Sequence, residues 1–486
     1  MGKDMTKDKN NAMVKKDYNL LGFKCGLEIH QQLETHNLFC KCPSIVHDEN
    51  PIIEVRRKLK AVVGETGEID IAASHEQSKA KEMVYQGCER SYCLVELDEE
   101  PPHSINEEAV KIALQVSKML HCDIVDEIQV MRKTVIDGSN VSGFQRTALI
   151  AMDGYIETSK GKVKIDTLCL EEEAAKKVHS DNKTTTYRLD RLGVCLLEIA
   201  TDASIQDPEH AKECAEILGM ILRSTNKVKR GIGTIRQDVN VSIKGGVRVE
   251  IKGFQDLRSI PKVIEYEINR QSDCIKKKVK LQKEVRKAEP DMTTSFLRPM
   301  PGGARMYPET DILPLRITNK MIEDISIPEL ISDKKNMLSE KYGLDQGLIN
   351  EIIKRDIDFE SLVIKYKRID PKFIASILIQ IPKELKRKTS LDVDNLSLND
   401  FEQILSYAEK IPKDFIPTLI EKKVLGEKIN ISDFQVADDS EIEFFVKKLI
   451  KEKPGLNIGG YMGLVMKQFV GKVDGKKASE ILKKYI

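Results

Sequence analysis

The change in apolar spacing near residue 322 constrains the fold of this chain more than any other feature of the sequence. Between about residues 18 and 262, short apolar runs such as FKCGLEIH, VCLLEIAT and VRVEI alternate with turns rich in Gly, Asp and Asn. That pattern is typical of β-strands. From residue 322 onward the apolar spacing is helical, and prolines divide it into short helices. The sequence therefore predicts an α+β domain followed by all-α segments.

These patterns set the predicted domain boundaries. We expect a disordered tail over residues 1–18, an α+β domain over 19–321, an all-α domain over 322–410 and a smaller all-α domain over 411–486. Charged residues nearly balance, with 78 Lys and Arg against 77 Asp and Glu. This balance excludes a uniformly basic surface for nucleic acid, but it does not exclude local basic faces.

The features that report on cellular location favour the cytoplasm. No run approaches the length of 18 or so consecutive apolar residues that a transmembrane helix needs, so no membrane association is expected. The lysine-rich start lacks the apolar run of a signal peptide. The ten cysteines of such a chain are expected to be reduced thiols rather than a disulfide framework.

Glutamates interrupt several of the apolar, strand-like runs. Glu28 lies in CGLEIH, Glu198 in VCLLEIAT, and Glu171 and Glu172 follow TLCL. A buried carboxylate is costly unless a cation compensates its charge. Glu28 and His30 lie two residues apart and so share one strand face, and a carboxylate-rich set with one imidazole suits a hard cation such as Mg2+. The residues alone leave open that these glutamates sit at strand ends and pair with arginines.

A second charged set follows two later strand-like runs. It comprises Arg236, Asp238 and Asn240 in IRQDVNVSI, with Glu250 and Lys252 in VEIKG. Alternate residues of a strand share a face, and charges of both signs there fit a polyphosphate with its metal ion. The sequence has no Walker A motif, so a bound nucleotide would not be held by a P-loop. An ordinary exposed sheet face is the open alternative.

Four cysteines form a candidate zinc site. Cys40 and Cys42 lie in FCKC, and Cys88 and Cys93 in CERSYC. Four thiolates can hold a structural zinc ion. The spacings of one and four intervening residues are unusual for such a site, so free thiols are the open alternative to zinc.

The C-terminal forty residues carry a basic excess. Residues 447–486 contain ten lysines against three acids. Such a patch suits a phosphate backbone, although a solvated helix face is the open alternative. The candidate phosphate-binding lysines within it are Lys467, Lys472, Lys476 and Lys477.

Nine motifs, in order along the chain, resemble the GatB/GatE family of Glu-tRNA(Gln) amidotransferase subunits, and its archaeal GatE type in particular. They are GLEIHQQLETHNLFCKCPS, RKLKAVVGETGEIDIAA, CLVELDEEPPHSIN, RKTVIDGSNVSGFQRTALIA, LCLEEEAAK, YRLDRLGVCLLEIAT, RGIGTIRQDVNVSI, EIKGFQDL and RPMPGGARMYPETD. The ending GGYMGLVMKQFVGKVDGKKASEIL resembles the tail domain that these proteins share with YqeY-type proteins.

The resemblance implies a fold and an activity. The fold is a cradle-shaped catalytic domain around an antiparallel sheet, then an all-α domain, then a YqeY-like tail that contacts tRNA. In the implied activity, ATP with Mg2+ phosphorylates the γ-carboxyl of tRNA-bound glutamate, and ammonia then displaces phosphate. The implied partner is an asparaginase-like glutaminase, which releases the ammonia from glutamine and forms a heterotetramer with the GatE-type chain.

Motif matching also implies residue roles. His30, Glu172 and Glu198 would hold the metal ion, with Glu28 and Glu171 as catalytic neighbours. The phosphates of ATP and a second cation are assigned to Arg236, Asp238, Asn240 and Lys252, of which Arg236, Asp238 and Lys252 are also catalytic. The absence of a protein nucleophile fits phosphoryl transfer, which depends on positioning and charge neutralisation.

The chain departs from the family in one large way. Proteins of the GatE type normally carry an inserted domain similar to one in bacterial-type aspartyl-tRNA synthetases, and here only about twenty residues, roughly 264–283, occupy its place. Two other functions compete with the implied one. A non-catalytic tRNA-binding or assembly homologue predicts lost metal ligands, yet the ligand motifs are present. A ligase for a free amino acid has no use for a basic helical tail.

Overall fold

The computed structural model divides the chain into two compact units, Met1–Leu330 and Ile331–Ile486. The residues that the structure describes are 16–46, 49–63, 67–254, 256–300, 306–355, 357–389, 391–427, 429–430, 434, 439–469 and 475–486. Nearly all of the tail predicted over 1–18 lies outside them, as does Lys472. The boundaries expected after residues 321 and 410 stay predictions.

Seventeen strands form three sheets in the described part of the first unit. They are β1 Lys24–Gln32, β2 Ile53–Arg57, β3 Glu82–Gly87, β4 Asp123–Ile124, β5 Glu127–Ile128, β6 Val130–Thr134, β7 Phe144–Thr158, β8 Gly161–Glu172, β9 Lys176–Ser180, β10 Thr184–Arg188, β11 Cys195–Thr201, β12 Ile235–Ser242, β13 Val249–Lys252, β14 Glu284–Ala288, β15 Thr294–Pro299, β16 Met306–Pro308 and β17 Leu315–Arg316.

The large sheet joins eleven of these strands in the order β15-β14-β13-β12-β1-β11-β8-β7-β6-β16, with β4 paired to β7. Its pairs are antiparallel, apart from β13 and β14, which run parallel. The longest pairing joins β7 and β8. The expectation of a large sheet followed by a helical C-terminal region is confirmed.

Helices cover the apolar face of this sheet. The helices of the first unit are α1 Ile71–Ser78, α2 Glu107–Met119, α3 Pro208–Ser224, α4 Ile260–Lys276 and α5 Asn319–Glu323. The side chain of Asn106 caps α2 by accepting from two backbone N–H groups, and Asp207 caps α3 ahead of Pro208. Helix α1, which the structure describes in full, contributes no residue to the core on this face. Strand β1 contributes Leu27 and Ile29 to that core, which α2, α3 and α4 bury. Its alternate residues therefore face the other way.

A smaller four-stranded sheet, in the order β2-β3-β10-β9, has a core of its own. Strands β3 and β10 run parallel, and β9 returns antiparallel as an exposed edge. Tyr85 and Tyr187 stack at 6.1 Å between ring centroids and are almost fully buried. Their hydroxyls donate to the carbonyl oxygens of Gly138 and Asp137, which ties the small sheet to the loop before β7.

The second unit is helical in its described residues. Its helices are α6 Ile331–Tyr342, α7 Gln346–Lys354, α8 Phe359–Lys365, α9 Pro371–Ala375, α10 Ile381–Thr389, α11 Leu398–Ala408, α12 Ile416–Val424, α13 Asp439–Glu452, α14 Ile458–Gln468 and α15 Gly475–Lys483. One apolar cluster runs from Leu338 to Phe434, and another from Ile442 to Leu482. No helix among the described residues is long and apolar enough to cross a membrane.

A buried network of charges holds β7 to the segment after β16. The Arg146 guanidinium lies 2.9 Å from a Glu309 carboxylate oxygen and 3.1 Å from one of Glu172. The Arg132 guanidinium lies 2.5 Å from the other carboxylate oxygen of Glu309. Burial would raise the pKa of Glu309, but the Arg132 and Arg146 hydrogen bonds outweigh it and lower that pKa to about 2. Its stabilising contribution is therefore present above about pH 4.3 and lost as the pH falls to about 2.

We expect Glu309→Gln to destabilise the first unit by about 3–5 kcal/mol at neutral pH, because it removes the buried carboxylate that the Arg132 and Arg146 guanidinium groups share. Urea unfolding of the full chain, followed by circular dichroism, measures this. Glu157→Gln is the control, since exposed Glu157 pairs only loosely with Lys162 at 3.6 Å. Its unfolding midpoint should match the wild type, and equal effects of both variants would contradict the network.

Candidate active site

Five neighbouring strands of the large sheet present charged side chains on one face. In register, His30 of β1 lies opposite Glu198 of β11 and opposite Arg236 of β12. Glu28 lies opposite Asp238. Because Leu27 and Ile29 point into the core, alternation sends Glu28 and His30 to the opposite face. The pairing of strands distant in sequence thus brings the two predicted charged sets together.

The His30, Glu171 and Glu198 side chains form the centre of this face. Each offers one ligand atom, and these atoms all lie within 4.8 Å of one another. His30 Nε2 is 3.3 Å from a Glu198 oxygen, while the buried Nδ1 has no hydrogen-bond partner. Glu171 accepts from Lys133 Nζ at 2.5 Å and from Gln145 Nε2 at 3.1 Å. Two carboxylates and one imidazole therefore meet at a point with room for a cation.

Burial and mutual charge shift the pKa values of these groups. Burial would raise the pKa of Glu198, but its hydrogen bond and charge interaction with His30 lower it overall. Burial would lower the pKa of His30, but Glu198 raises it overall. Burial and the Glu198 charge raise the pKa of Glu171. The acids thus compete for positive charge, which a bound cation would supply.

Glu172 lies away from this centre. Strand alternation turns it to the other face of β8 from Glu171. There its carboxylate accepts from Nη1 of Arg146 at 3.1 Å and from the backbone N–H of Arg146 at 3.0 Å. The structure therefore brings Glu171, and not Glu172, to His30 and Glu198. The assignment of Glu172 as a metal ligand stays a prediction.

Lys252 organises the second charged set. Its ammonium lies 2.5 Å from an Asp238 oxygen and 2.6 Å from a Glu250 oxygen. Asp238 also forms a group with Glu28 and His30 whose ligand atoms lie within 4.8 Å of one another. This group shares His30 with the first one, so the two lie side by side. They could hold two cations or one cation in either position.

Two further predicted residues extend this set. Asn240 donates to a Glu28 oxygen at 2.9 Å and accepts from Arg248 at the same distance. Arg236 pairs with the buried carboxylate of Glu173 at 2.9 Å, although its side chain is 40% exposed. Asn240 therefore orients an acid, and Arg236 is held at the edge of the charged face with surface left for a ligand.

A cavity of about 430 Å3 opens over this face. Eight carboxylates and five basic side chains line it, together with His30. The acids are Glu28, Asp70, Glu76, Asp137, Glu171, Glu173, Glu198 and Glu250, and the basic residues are Lys133, Arg236, Arg248, Lys252 and Arg298. An excess of carboxylate with cations at hand suits a polyanion that arrives with a metal ion.

Three of the four predicted zinc cysteines come together elsewhere in the same unit. Ligand atoms of Cys40, Cys42, Cys93 and Glu96 lie within 4.8 Å of one another. The Cys93 and Cys40 thiols donate to the two oxygens of buried Glu96 at 3.0 and 2.8 Å. Cys88 is not among them, because its sulfur accepts from Arg188 at 2.8 Å. The structure therefore places Glu96, and not Cys88, beside the other three cysteines, and a zinc site that includes Cys88 stays a prediction.

The predicted C-terminal lysines lie on the last two helices. Lys467 is exposed near the end of α14, and Lys476 is exposed at the start of α15. Lys477 pairs with Asp439 at 2.5 Å, and Lys472 lies outside the described residues. The role of these lysines in tRNA binding stays a prediction.

Comparison with known proteins identifies the family. Residues 23–323 match the model of the family described as the GatB/GatE catalytic domain. That range is more than half of the 486 residues and contains the whole charged face. The chain belongs to the GatB/GatE family.

Relatives match this family member over nearly its whole length. The protein of Methanocaldococcus jannaschii that is named as the E-type subunit of glutamyl-tRNA(Gln) amidotransferase is 35% identical, with 96% of this chain and 99% of that protein covered. Proteins of that name from Methanosarcina barkeri and Archaeoglobus fulgidus are 34% and 36% identical, over 97% and 96% of this chain and 99% and 98% of their own. The alignments span 612 to 626 positions. The chain has 486 residues, so each relative has residues that this chain lacks, as expected for a missing insertion.

Sequence reasoning missed several residues of the site. Glu173 directly follows the predicted site residues Glu171 and Glu172, and a third consecutive acid could have indicated that it belongs to the site. Lys133 and Arg298 line the cavity from strands β6 and β15, where one cation among many gave no sequence signal. Glu96 lies three residues after Cys93, a spacing at which a carboxylate ligand could have been considered.

We expect Glu171→Gln to weaken Mn2+ binding about tenfold or more, because it removes a ligand atom beside His30 and Glu198. Electron paramagnetic resonance of free Mn2+ in a titration of the full chain measures this. Glu172→Gln is the matched control on the adjacent residue and should leave the Mn2+ affinity near the wild type. Its fold is checked by circular dichroism. A weakened affinity in Glu172→Gln alone would instead restore Glu172 as the ligand.

Proposed function

We propose that this chain is the GatE-type component of an amidotransferase that uses ATP to convert Glu-tRNA(Gln) to Gln-tRNA(Gln). The observation that carries the proposal is its match, over nearly the full length, to proteins named as glutamyl-tRNA(Gln) amidotransferase subunits of this type. The match to the catalytic domain of the GatB/GatE family favours an active protein. The chain is then an enzyme of the ATP-dependent carbon–nitrogen ligase class.

The reaction turns a carboxylate into an amide. A carboxylate is a poor acyl donor, so the γ-phosphoryl group of ATP is first transferred to the γ-carboxyl of tRNA-bound glutamate, and ADP leaves. Ammonia then attacks the carbonyl carbon, and inorganic phosphate leaves as the amide forms. Such a transfer needs positioned charges more than a protein nucleophile, which agrees with a cavity lined mainly by charged groups.

The residues of the charged face supply these charges. Lys252 and Arg236 bind phosphate oxygens of ATP, and Arg298 reaches the same cavity from β15. Asp238 and Glu250 hold the Lys252 ammonium in place. Fixed cations of this kind stabilise the charge that develops during transfer without having to reorient at that moment.

The group of His30, Glu171 and Glu198 fits a divalent cation. Its donor atoms lie close together, and His30 Nδ1 is buried without a hydrogen-bond partner. Carboxylate-rich sites of this kind suit Mg2+. When bound, Mg2+ supplies charge neutralisation for the phosphoryl oxygens of ATP. Glu171 is oriented by Lys133 and Gln145, and it presents its carboxylate to the cavity together with Glu198.

The remaining parts of the proposal rest on the resemblance. The first unit forms the cradle around the sheet, the C-terminal helices form a YqeY-like tail that binds tRNA, and the protein works in the cytoplasm. The ammonia is supplied by an asparaginase-like glutaminase, the D-type component of a heterotetramer. The relatives are named as subunits, which supports a complex of this kind, and the lysines of α14 and α15 suit a phosphate backbone.

The two competing functions, a non-catalytic homologue and a ligase for a free amino acid, explain fewer features of the structure. A non-catalytic homologue does not need acids that converge on one imidazole inside a cavity, as they do here. A ligase for a free amino acid does not need the helical unit over Ile331–Ile486. Activity on free glutamate without tRNA would favour that second function.

The proposal is tested with the full chain, its glutaminase partner, ATP, Mg2+, glutamine and Glu-tRNA(Gln). We expect Gln-tRNA(Gln) to form only when ATP and Mg2+ are present, scored by deacylation and chromatography. Glu198→Gln should reduce this rate at least a hundredfold, because it removes charge that positions the metal ion. The same variant should bind tRNA with the wild-type dissociation constant. Near-normal turnover by Glu198→Gln would overturn the assignment of the site.

A zinc ion is proposed at Cys40, Cys42, Cys93 and Glu96. Three thiolates and one carboxylate are ligands that zinc accepts in structural sites. The four groups lie within 4.8 Å of one another, and Glu96 is buried with both oxygens directed at the thiols. The ion would fix the loop that contains Cys40 and Cys42 to the segment before α2.

We expect about one zinc ion per full chain by elemental mass spectrometry after dialysis. Cys93→Ser should lose that zinc, because it removes one of four ligands. Cys88→Ser is the matched control and should retain the zinc. The Cys88 sulfur accepts a hydrogen bond from Arg188 and is not part of the four-ligand group. Loss of zinc from both variants, or no zinc in the wild type, would contradict the assignment.

A further inference from the structure

A second cavity, of about 320 Å3, lies beside the first one. Both are lined by Glu76, Asp137, Lys252 and Arg298, so they share a wall. The small sheet forms most of the remaining wall, through Lys81 and Met83 in and beside β3, Lys177 of β9, and Thr185 and Tyr187 of β10. Lys79, just after α1, and Leu297 of β15 also line it. The lining includes none of His30, Glu171, Glu172 and Glu198. We call it the small-sheet cavity.

The charge of the small-sheet cavity is opposite to that of the first. Five basic side chains and only two carboxylates line it. Lys81 donates to the Ser180 hydroxyl at 2.9 Å, and Lys177 lies 5.8 Å from the Tyr187 ring centroid. Among the described residues, no carboxylate lies within ion-pair distance of either lysine. Their charge is therefore available to an anion, whereas that of Lys79 is shared with Glu76 at 2.6 Å.

The aromatic residue of this cavity is not a base-stacking platform. Tyr187 is only 1% exposed, and its hydroxyl donates to the Asp137 carbonyl oxygen at 2.7 Å. Besides Tyr187 and the two carboxylates, the polar groups that line the cavity are four ammonium groups, the Arg298 guanidinium, and the hydroxyls of Ser180 and Thr185, which hydrogen-bond to each other at 3.0 Å. Such groups recognise phosphate oxygens and carry no base sequence information.

We propose that the small-sheet cavity binds backbone phosphates of the acceptor end of the tRNA and guides the attached glutamate into the first cavity. This inference rests on the proposed function. Phosphate could also come from ATP, but the triphosphate and its metal ion belong at the carboxylates of the first cavity. A second polyanion must reach the same point from a different side. The shared wall at Lys252 and Arg298 places the two substrates next to each other.

The test compares two triple variants of the full chain in complex with its glutaminase partner. The first, Lys79→Gln with Lys81→Gln and Lys177→Gln, removes three charges from the small-sheet cavity. The control, Lys164→Gln with Lys176→Gln and Lys183→Gln, removes three exposed charges from β8, β9 and the turn after β9. Lys176 and Lys177 are adjacent on β9 and face opposite sides of it. The control residues do not line this cavity.

The measurements are the dissociation constant of Glu-tRNA(Gln) at several salt concentrations and the KM values for tRNA and ATP. For the cavity variant we expect the slope of log Kd against log salt to fall by about 2 to 3, and Kd to rise about tenfold or more at physiological salt. The KM for ATP should stay within about twofold of the wild type. The control variant should match the wild type in every measurement.

Three outcomes separate the possibilities. An unchanged tRNA Kd and salt slope in the cavity variant would overturn the inference. A raised KM for ATP with unchanged tRNA binding would also overturn it, by assigning the phosphate to the nucleotide. Failure of the wild-type complex to form Gln-tRNA(Gln) would instead refute the proposed function. Product formation and tRNA binding are measured separately, so the two failures can be told apart.

Discussion

The structure depends on a single strand that serves two opposite environments. Strand β1 buries Leu27 and Ile29 against the helices and presents Glu28 and His30 to the cavity. Strand alternation makes both faces possible, and pairing with β11 and β12 on either side places Glu198, and the charges of β12, beside them. The apolar face supplies the stability that lets the other face collect carboxylates at close range, where they repel one another and require cations.

Buried acids in the first unit fall into two kinds. Glu309 and Glu267 are each enclosed by arginines, at distances of 2.5 to 2.9 Å for the closest contacts, and hold elements together. Glu171 and Glu198 pair with a lysine and a histidine, and the histidine retains a buried nitrogen that makes no hydrogen bond and lies 4.0 Å from Asp238. Fully paired acids stabilise the fold, whereas incompletely paired acids at a cavity are suited to bind a cation and substrate.

The sequence allowed the general architecture and the grouping of several charged residues on one sheet face to be predicted. Alternation within β1 and β12 correctly grouped Glu28 with His30 and Arg236 with Asp238. Alternation could not decide between Glu171 and Glu172. Adjacent residues of a strand face opposite sides of the sheet, and two consecutive glutamates do not show which one faces the cavity. The sequence could not replace Cys88 by Glu96 either, since metal sites built from loops depend on tertiary contacts that spacing does not record. The small-sheet cavity could not be predicted from the sequence, because its lysines come from separate segments of the chain and resemble ordinary surface lysines.

The central claim is that the charged face directs phosphorylation of the γ-carboxyl of tRNA-bound glutamate. The most direct measurement uses Glu-tRNA(Gln) labelled with 18O in that carboxyl, with ATP, Mg2+, glutamine and the complete complex. Formation of an acyl phosphate transfers one carboxyl oxygen to phosphorus, so the account predicts one 18O atom in each inorganic phosphate released with Gln-tRNA(Gln). Unlabelled phosphate formed together with the amidated product would contradict the account.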